Sequence, residues 1–280
     1  MRFGSGNALK SAARSKKMIW LDGKWMKEAE ARVSCADGGF LRGEGVFETM
    51  LALGGQPFAF SEHWSRLTQG ADAFGLKVMS SQDAAAIAKE LLVRNGLVGL
   101  QERVRLRVTR SPQHLLFTAA AVPQSVGLEK VLTSEFVRNE RSPLSGLKAI
   151  SYGENALALS WGQARGATEV ILGNSRKEWC EGTWSNVFAV ESGELWTPPL
   201  TSGCLPGVTR GIIIALAKKE GIVVREEARP LEWLQDVEEL FLTSSLRGVR
   251  SVGELDGREL QRGACSQRFS QLLGSVESGE

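Results

Sequence analysis

Alternating apolar and polar residues predict paired strands in the first part of the chain. The segment "MIWLDGKWM" turns at Asp22–Gly23 and "VFETMLALGGQPFAF" turns at Gly54–Gly55, because Asp-Gly and Gly-Gly pairs adopt the positive φ of tight hairpins. Two further strands, "RVRLRVTR" and "LLFTAAAV", are joined by a short turn. Apolar residues at helical spacing predict helices from Ser61 to Gly75 and from Ser81 to Gly96, each beginning at a serine N-cap.

After about residue 125, strands alternate with single helices. The segments "EKVLTSEFV", "TEVILG" and "ELFLTSS" predict strands, "ENALALSWGQARG" predicts a helix that ends at Gly166, and "PGVTRGIIIALAKKEG" predicts a helix between Pro206 and Gly221. We therefore predict an α+β protein of two domains, residues 18–124 and 125–280. The basic, acid-free residues 1–17 are expected to be a disordered or targeting-like lead-in.

Composition narrows the class of function. The 34 basic and 32 acidic residues give a net charge of +2, so no nucleic-acid or membrane partner is expected. The four cysteines are widely spaced and there are two histidines, which argues against a disulfide scaffold and against a metal site. This pattern is typical of a reducing compartment, and we expect a cytoplasmic protein.

Two segments predict groups that could bind an anion. Gly207, Val208 and Thr209 begin a helix, where backbone N–H groups and the helix dipole attract negative charge. Hydroxyl groups also end the strand "LFLTSSLRG", at Thr243, Ser244 and Ser245. Such hydroxyls bind phosphate or substrate, or they cap a turn.

Several charged residues allow two interpretations each. Arg105 and Arg107 share one face of a predicted strand, which is either solvated or able to bind carboxylates. Arg66, on a predicted helix, is expected at the surface when its local sequence is considered alone. Glu181 follows Trp179 in "EWCEGTWSNVF" and is either a partly buried carboxylate with a partner or a turn residue.

Lys148 stands in the apolar stretch "LSGLKAISYGENALA" together with Tyr152, which is the one tyrosine of the sequence. Burial disfavours the ammonium form of a lysine and so makes the amine nucleophilic. A lysine on a strand can also extend its charged end into solvent. Local sequence leaves both interpretations open.

The order of the motifs adds information that each motif lacks alone. The motifs "DGGFLRGEGVFET", "HWSRL", "LKAISYGENALA", "EGTWSNVF", "TPPLTSGCLPGVTR" and "LFLTSSLRGV" together resemble the class IV aminotransferases, the fold-type IV pyridoxal-phosphate enzymes. The resemblance covers about residues 19–260. It implies a D-amino-acid aminotransferase-like fold with a smaller N-terminal α/β domain, a larger C-terminal pseudo-barrel domain and a homodimeric assembly.

The resemblance also implies a cofactor, pyridoxal 5'-phosphate, and a role for individual positions. Lys148 matches the lysine that forms the Schiff base and then takes the proton from the substrate alpha carbon, and Glu181 matches the carboxylate that faces the pyridine nitrogen. The other positions matched to cofactor contacts are Arg66, Leu205, Gly207, Val208, Thr209, Ser244 and Ser245. Tyr152 is similar to a tyrosine that binds the phenolic oxygen, at a spacing one residue shorter; a core aromatic at a helix start is the alternative.

Substrate contacts distinguish the branches of this family. Phe47 stands where the D-amino-acid branch has a tyrosine, and His114 is the only remnant of that branch's basic loop, which disfavours a D-specific enzyme. Arg105 or Arg107 is the expected anchor of the substrate carboxylate, as an arginine on this strand is in the branched-chain branch. The continuation "SLRGV" is more similar to the 4-amino-4-deoxychorismate lyases.

We therefore expect an enzyme that transaminates an amino acid, branched-chain-like, with a 2-oxo acid. The first alternative is a 4-amino-4-deoxychorismate lyase, which releases pyruvate and 4-aminobenzoate. The second alternative is a non-enzymatic protein that binds anions.

Overall fold

The computed structural model describes residues 17–100, 102–124, 127–260 and 263–279. Two compact units are present: the first extends to Pro123 and includes Lys148–Ser151, and the second contains Gln124–Leu147 and the chain from Tyr152 onward. Residues 1–16 of the predicted lead-in lie outside the described residues. Both units combine a sheet with helices, which confirms the α+β prediction.

The first unit contains a six-stranded antiparallel sheet. Its strands are β1 (Met18–Leu21), β2 (Lys24–Lys27), β3 (Val46–Leu53), β4 (Gln56–Pro57), β5 (Arg103–Arg110) and β6 (Leu115–Ala121). They lie in the order β2-β1-β6-β5-β3-β4. The predicted hairpin turns are confirmed, since Gly23, Gly54 and Gly55 all have positive φ.

Three helices belong to the first unit: α1 (Gly38–Arg42), α2 (Phe60–Ala73) and α3 (Ser81–Arg94). The predicted cap at Ser61 is wrong, because the N-cap residue of α2 is Ala59, which has φ 48° and whose side chain accepts no capping hydrogen bond. The cap of α3 is Ser80 rather than Ser81, since the Ser80 hydroxyl accepts the Asp83 N–H. α2 and α3 contribute Trp64, Leu67 and Leu91 among other side chains to the core of this unit.

The second unit contains a nine-stranded mixed sheet. Its strands are β7 (Glu129–Arg138), β8 (Glu169–Asn174), β9 (Trp179–Gly182), β10 (Asn186–Glu191), β11 (Glu194–Thr197), β12 (Val224–Glu226), β13 (Glu239–Ser244), β14 (Gly248–Leu255) and β15 (Arg258–Glu259). The order is β12-β11-β10-β13-β14-β7-β8-β9, and β15 pairs with β14. The sheet curls, so that β9 at its end also contacts β10.

Three helices and two short 3-10 segments complete the second unit. The helices are α4 (Gly153–Gln163), α5 (Val208–Lys219) and α6 (Ala264–Ser278), and the 3-10 segments of both units are Glu28–Glu30, Leu200–Ser202 and Leu231–Gln235. The sequence analysis did not predict α6, whose first N–H groups, at Cys265 and Ser266, donate to the Glu239 carboxylate. Across the described ranges, no helix combines the length and apolar content that a membrane span needs.

Candidate functional site

Lys148 begins a short segment, Lys148–Ser151, that packs with the first unit although the chain before and after this segment belongs to the second. Its carbonyl accepts the Phe47 N–H at 2.9 Å, and the next residue, Ala149, forms a β-bridge with Val46. The Lys148 amine lies 4.5 Å from the centre of the Phe47 ring, and the residue is half-buried. The amine is therefore fixed against an aromatic face, a contact that also stabilises positive charge.

The same ring distinguishes the two candidate arginines of β5. The guanidinium of Arg107 lies 3.9 Å from the centre of the Phe47 ring, whereas Arg105 is exposed. The predicted alternation is confirmed, since Val104, Leu106 and Val108 are buried on the opposite face. Of the two arginines, Arg107 is the one held beside Phe47.

Arg66 is not a surface residue, contrary to the expectation from its local sequence. Its side chain is 11% exposed and makes a bidentate pair with Glu48, with Nε 2.6 Å from Oε1 and Nη2 2.8 Å from Oε2. Glu48 is fully buried. Two parallel hydrogen bonds fix the plane of the guanidinium as well as its position.

Glu48 is a residue that the sequence analysis missed. Its carboxylate also contacts His63 Nδ1 at 2.7 Å. Burial alone would raise its pKa, but the charges and hydrogen bonds of Arg66 and His63 lower the pKa to about 2. Glu48 is therefore ionised. The sequence did contain a signal for this residue, namely a glutamate within the mostly apolar strand "VFETML". Because a buried carboxylate requires a partner, such a glutamate indicates an ion pair or hydrogen bonds in the core.

In the second unit, Glu181 lies within β9 and is buried, so it is not a turn residue. One carboxylate oxygen accepts the Leu205 N–H at 2.8 Å. The other lies 3.2 Å from Arg138 Nη2. These two contacts fix the orientation of the Glu181 carboxylate.

Arg138 and Asn155 connect Glu181 to α4 and were also missed. Arg138 donates to Asn155 Oδ1 at 3.0 Å, and Asn155 donates to the Thr183 carbonyl at 2.8 Å. Tyr152 lies at the N-cap position of α4, where its ring is 5.6 Å from the Trp184 ring. Tyr152 is half-buried.

The predicted start of α5 is confirmed. Its N-cap residue is Gly207, which has no side chain to cap the helix. A Cβ atom at Gly207 would lie 1.9 Å from Asn186 Oδ1, while Asn186 donates to the Leu205 carbonyl at 2.8 Å. Val208 and Thr209 follow as the first helical residues, so their N–H groups belong to the positive end of the helix dipole.

The last residues of β13 and the residue after it carry hydroxyl side chains. Thr243 pairs with Asn186 in the sheet register. Its hydroxyl is buried and has no hydrogen-bond partner within the part of the chain that the structure describes. Ser244 and Ser245 follow and are half-buried. A buried hydroxyl without a partner is costly, so this strand end is a candidate site for a polar ligand group.

His114 was considered above as a remnant of the basic loop of the D-amino-acid branch. In the structure it connects two segments of the first unit. Its Nδ1 lies 2.6 Å from Asp22 Oδ2, and its Nε2 accepts the Ser34 N–H at 3.0 Å. Accepting at Nε2 places the proton of a neutral ring on Nδ1. Both ring nitrogens are thus used within the protein.

Comparison with known proteins gives the family. The model of the amino-transferase class IV family matches residues 45–255. A Methanocaldococcus jannaschii protein, provisionally named a branched-chain-amino-acid aminotransferase, is 33% identical over 93% of this chain and 96% of its own length. A D-alanine aminotransferase of Staphylococcus epidermidis is 26% identical over 92% of this chain and 96% of its own length.

A solved structure shows the same fold. The branched-chain aminotransferase of Thermoproteus uzoniensis, solved with norvaline, superposes with a TM-score of 0.86 at 28% identity and covers 94% of this chain and 95% of that one. The agreement of family model, relatives and fold disfavours the non-enzymatic alternative. The chain belongs to the class IV aminotransferase family, and it is an aminotransferase-family enzyme.

Proposed function

We propose that this enzyme binds pyridoxal 5'-phosphate covalently at Lys148 and transaminates an amino acid with a 2-oxo acid. The observation that carries the proposal is the Lys148 amine, which is half-buried and held 4.5 Å from the Phe47 ring. A lysine constrained in this way has a defined direction of attack and of proton transfer.

The residues of each unit fit the parts of this cofactor. A phosphate dianion is bound by guanidinium groups, helix-start N–H groups and hydroxyls. The first unit offers Arg66, oriented by Glu48. The second unit offers the start of α5 at Gly207–Thr209 and the strand end at Ser244 and Ser245. The preceding Thr243 hydroxyl has no hydrogen-bond partner among the described residues.

When bound, pyridoxal phosphate supplies a ring that accepts electrons from the substrate alpha carbon. Glu181 would hold a proton on the pyridine nitrogen, and its contacts with Leu205 and Arg138 orient its carboxylate. Leu205 would contact the ring, and Tyr152 is proposed near the phenolic oxygen. Lys148 would take the proton from the substrate alpha carbon and return it.

We propose Arg107, rather than Arg105, as the anchor of the substrate carboxylate. Arg107 is half-buried and held on the Phe47 ring, and a guanidinium binds a carboxylate bidentately. The Phe47 ring packs beside it. The relative solved with norvaline, an amino acid with an unbranched apolar side chain, supports an apolar substrate. The branched-chain aminotransferase names of two relatives support a branched-chain-like one.

A 4-amino-4-deoxychorismate lyase is the second candidate function. It is favoured by the residues after β13, "SLRGV", and it requires the same lysine for proton removal. The lyase would release pyruvate and 4-aminobenzoate instead of exchanging an amino group. We also propose a homodimer in the cytoplasm; the four cysteines are all free, as a reducing compartment favours.

The first experiment tests the role of Lys148. Protein purified with pyridoxal phosphate is expected to show a visible absorbance band that borohydride reduction fixes to a peptide containing Lys148. Lys148→Ala should abolish the band and reduce turnover by at least about 10²-fold, whereas Lys77→Ala, at an exposed lysine of the first unit, should change neither. A wild-type protein that stays colourless with added cofactor contradicts the proposal.

The second experiment distinguishes the two activities. The loaded enzyme is supplied with leucine and 2-oxoglutarate, and separately with aminodeoxychorismate. New glutamate supports transamination, and pyruvate with 4-aminobenzoate supports the lyase. The transaminase proposal fails if no amino acid converts the bound cofactor to its amine form.

A further inference from the structure

The loop between β9 and β10, residues 183–185, is held by one buried carboxylate. Glu169 is 1% exposed and accepts hydrogen bonds from Thr183 N–H at 3.0 Å, Trp184 N–H at 3.2 Å and the Ser185 hydroxyl at 3.1 Å. The Thr183 hydroxyl donates to it as well. Because a carboxylate accepts several hydrogen bonds at fixed angles, the backbone of this loop has little freedom.

Contacts on the other side of the loop relate it to Glu181. Asn155 donates to the Thr183 carbonyl and accepts from Arg138. Arg138 in turn lies 3.2 Å from the Glu181 carboxylate. The loop therefore keeps a constant position relative to the residue proposed to face the cofactor nitrogen.

This rigid loop presents a large apolar side chain to solvent. Trp184 is 46% exposed, and it contacts Tyr152 with ring centres 5.6 Å apart and planes inclined at 47°. Trp184 also lines a small cavity together with Ser244, one of the proposed cofactor contacts. An exposed indole on a loop fixed by buried hydrogen bonds is typical of a surface that binds a ligand.

We infer that Trp184, supported by Tyr152, is a specificity-determining residue that contacts the substrate side chain and favours planar aromatic rings. Aromatic rings gain about 3- to 10-fold in affinity from contact with another ring, beyond the effect of buried area. An aliphatic side chain of similar size gains only the buried area. The inference rests on the proposed function and extends its substrate class from branched to aromatic apolar amino acids.

The test measures binding of two unreactive acids to the cofactor-loaded enzyme by calorimetry. The acids are 3-phenylpropanoate, which has an aromatic ring, and 4-methylpentanoate, which is branched and aliphatic. Trp184→Ala is expected to raise the Kd of 3-phenylpropanoate by about 3- to 10-fold and that of 4-methylpentanoate by less than about 2-fold. Trp184→Phe keeps a ring and should retain most of the difference.

A matched control is Trp161→Ala in α4. Trp161 is a half-buried tryptophan of the same unit and contacts Phe136 with ring centres 6.0 Å apart. This variant should leave both Kd values unchanged. Equal changes for the two acids in Trp184→Ala, or no change, overturn the inference, as does a wild type that binds neither acid. The visible absorbance band reports separately on the proposed function, since it depends on Lys148 and should persist in Trp184→Ala.

Discussion

The two units hold their candidate site residues by different means. In the first unit, side chains hold other side chains: Glu48 orients Arg66, and the Phe47 ring carries Arg107 and Lys148. In the second unit, backbone groups share this role, because a main-chain N–H holds Glu181 together with Arg138, and α5 begins at Gly207, which has no side chain to cap it. Side-chain pairs are lost by one substitution, whereas backbone sites are lost only when the chain is displaced.

The largest effect is expected for Glu48→Gln. Removing the charge leaves Arg66 and His63 without their buried counter-ion, and breaking a buried pair costs about 3–5 kcal/mol. Urea unfolding followed by circular dichroism measures the loss. Glu30→Gln is the control, because its pair with Lys27 is exposed and should contribute less than about 1 kcal/mol. Similar stability of the two variants would contradict the role given to Glu48.

Glu48 should also make the stability of the protein depend on pH. The pKa of Glu48 is lowered from 4.5 to about 2 in the folded protein. Its stabilisation is therefore complete above pH 4.5 and is lost as the pH falls toward about 2, a change of about 3 kcal/mol. Urea midpoints across this range test it. In Glu48→Gln this part of the acid sensitivity should disappear; an unchanged profile would refute the assignment.

For the second unit, Gly207→Ala should displace the backbone itself. The new Cβ atom would collide with Asn186 Oδ1, and such overpacking costs about 1–3 kcal/mol. The affinity for pyridoxal phosphate should fall more than the affinity for pyridoxal, which lacks the phosphate. Gly211→Ala on the same helix has open space around its Cβ and should stabilise by about 0.5–1 kcal/mol. Equal affinity losses for both cofactor forms would argue against an anion site at this helix start.

The smallest change in stability is expected for Thr243→Val. Within the described residues the Thr243 hydroxyl has no partner, so its removal should change the cofactor-free protein by about 1 kcal/mol or less. Thr197→Val is the matched control, because that buried hydroxyl donates to the Val187 carbonyl at 2.9 Å, and its loss should cost about 1–3 kcal/mol. Thermal unfolding compares the two. A large loss in Thr243→Val would show that the hydroxyl is already paired.

Elements with strong local signals could be predicted from sequence, and those with long-range partners could not. The hairpin turn at Gly54–Gly55 and the start of α5 at Gly207 follow from the chemistry of glycine and of helix ends. The helix α6 was missed, since its first N–H groups are satisfied by Glu239 from a distant strand. The cap at Ser61 was misplaced because the preceding Ala59 adopts a left-handed conformation that its sequence does not indicate.

The sequence by itself determined most of the strands and helices, the family and the residue types available for a cofactor. Periodicity, turn chemistry and motif order are all properties of neighbouring residues. Only the tertiary structure decided that Arg66 is bound by Glu48 and that Lys148 lies on Phe47. The charge and orientation of a side chain depend on the groups around it in space, and sheet register and core packing, rather than adjacency in the chain, bring those groups together.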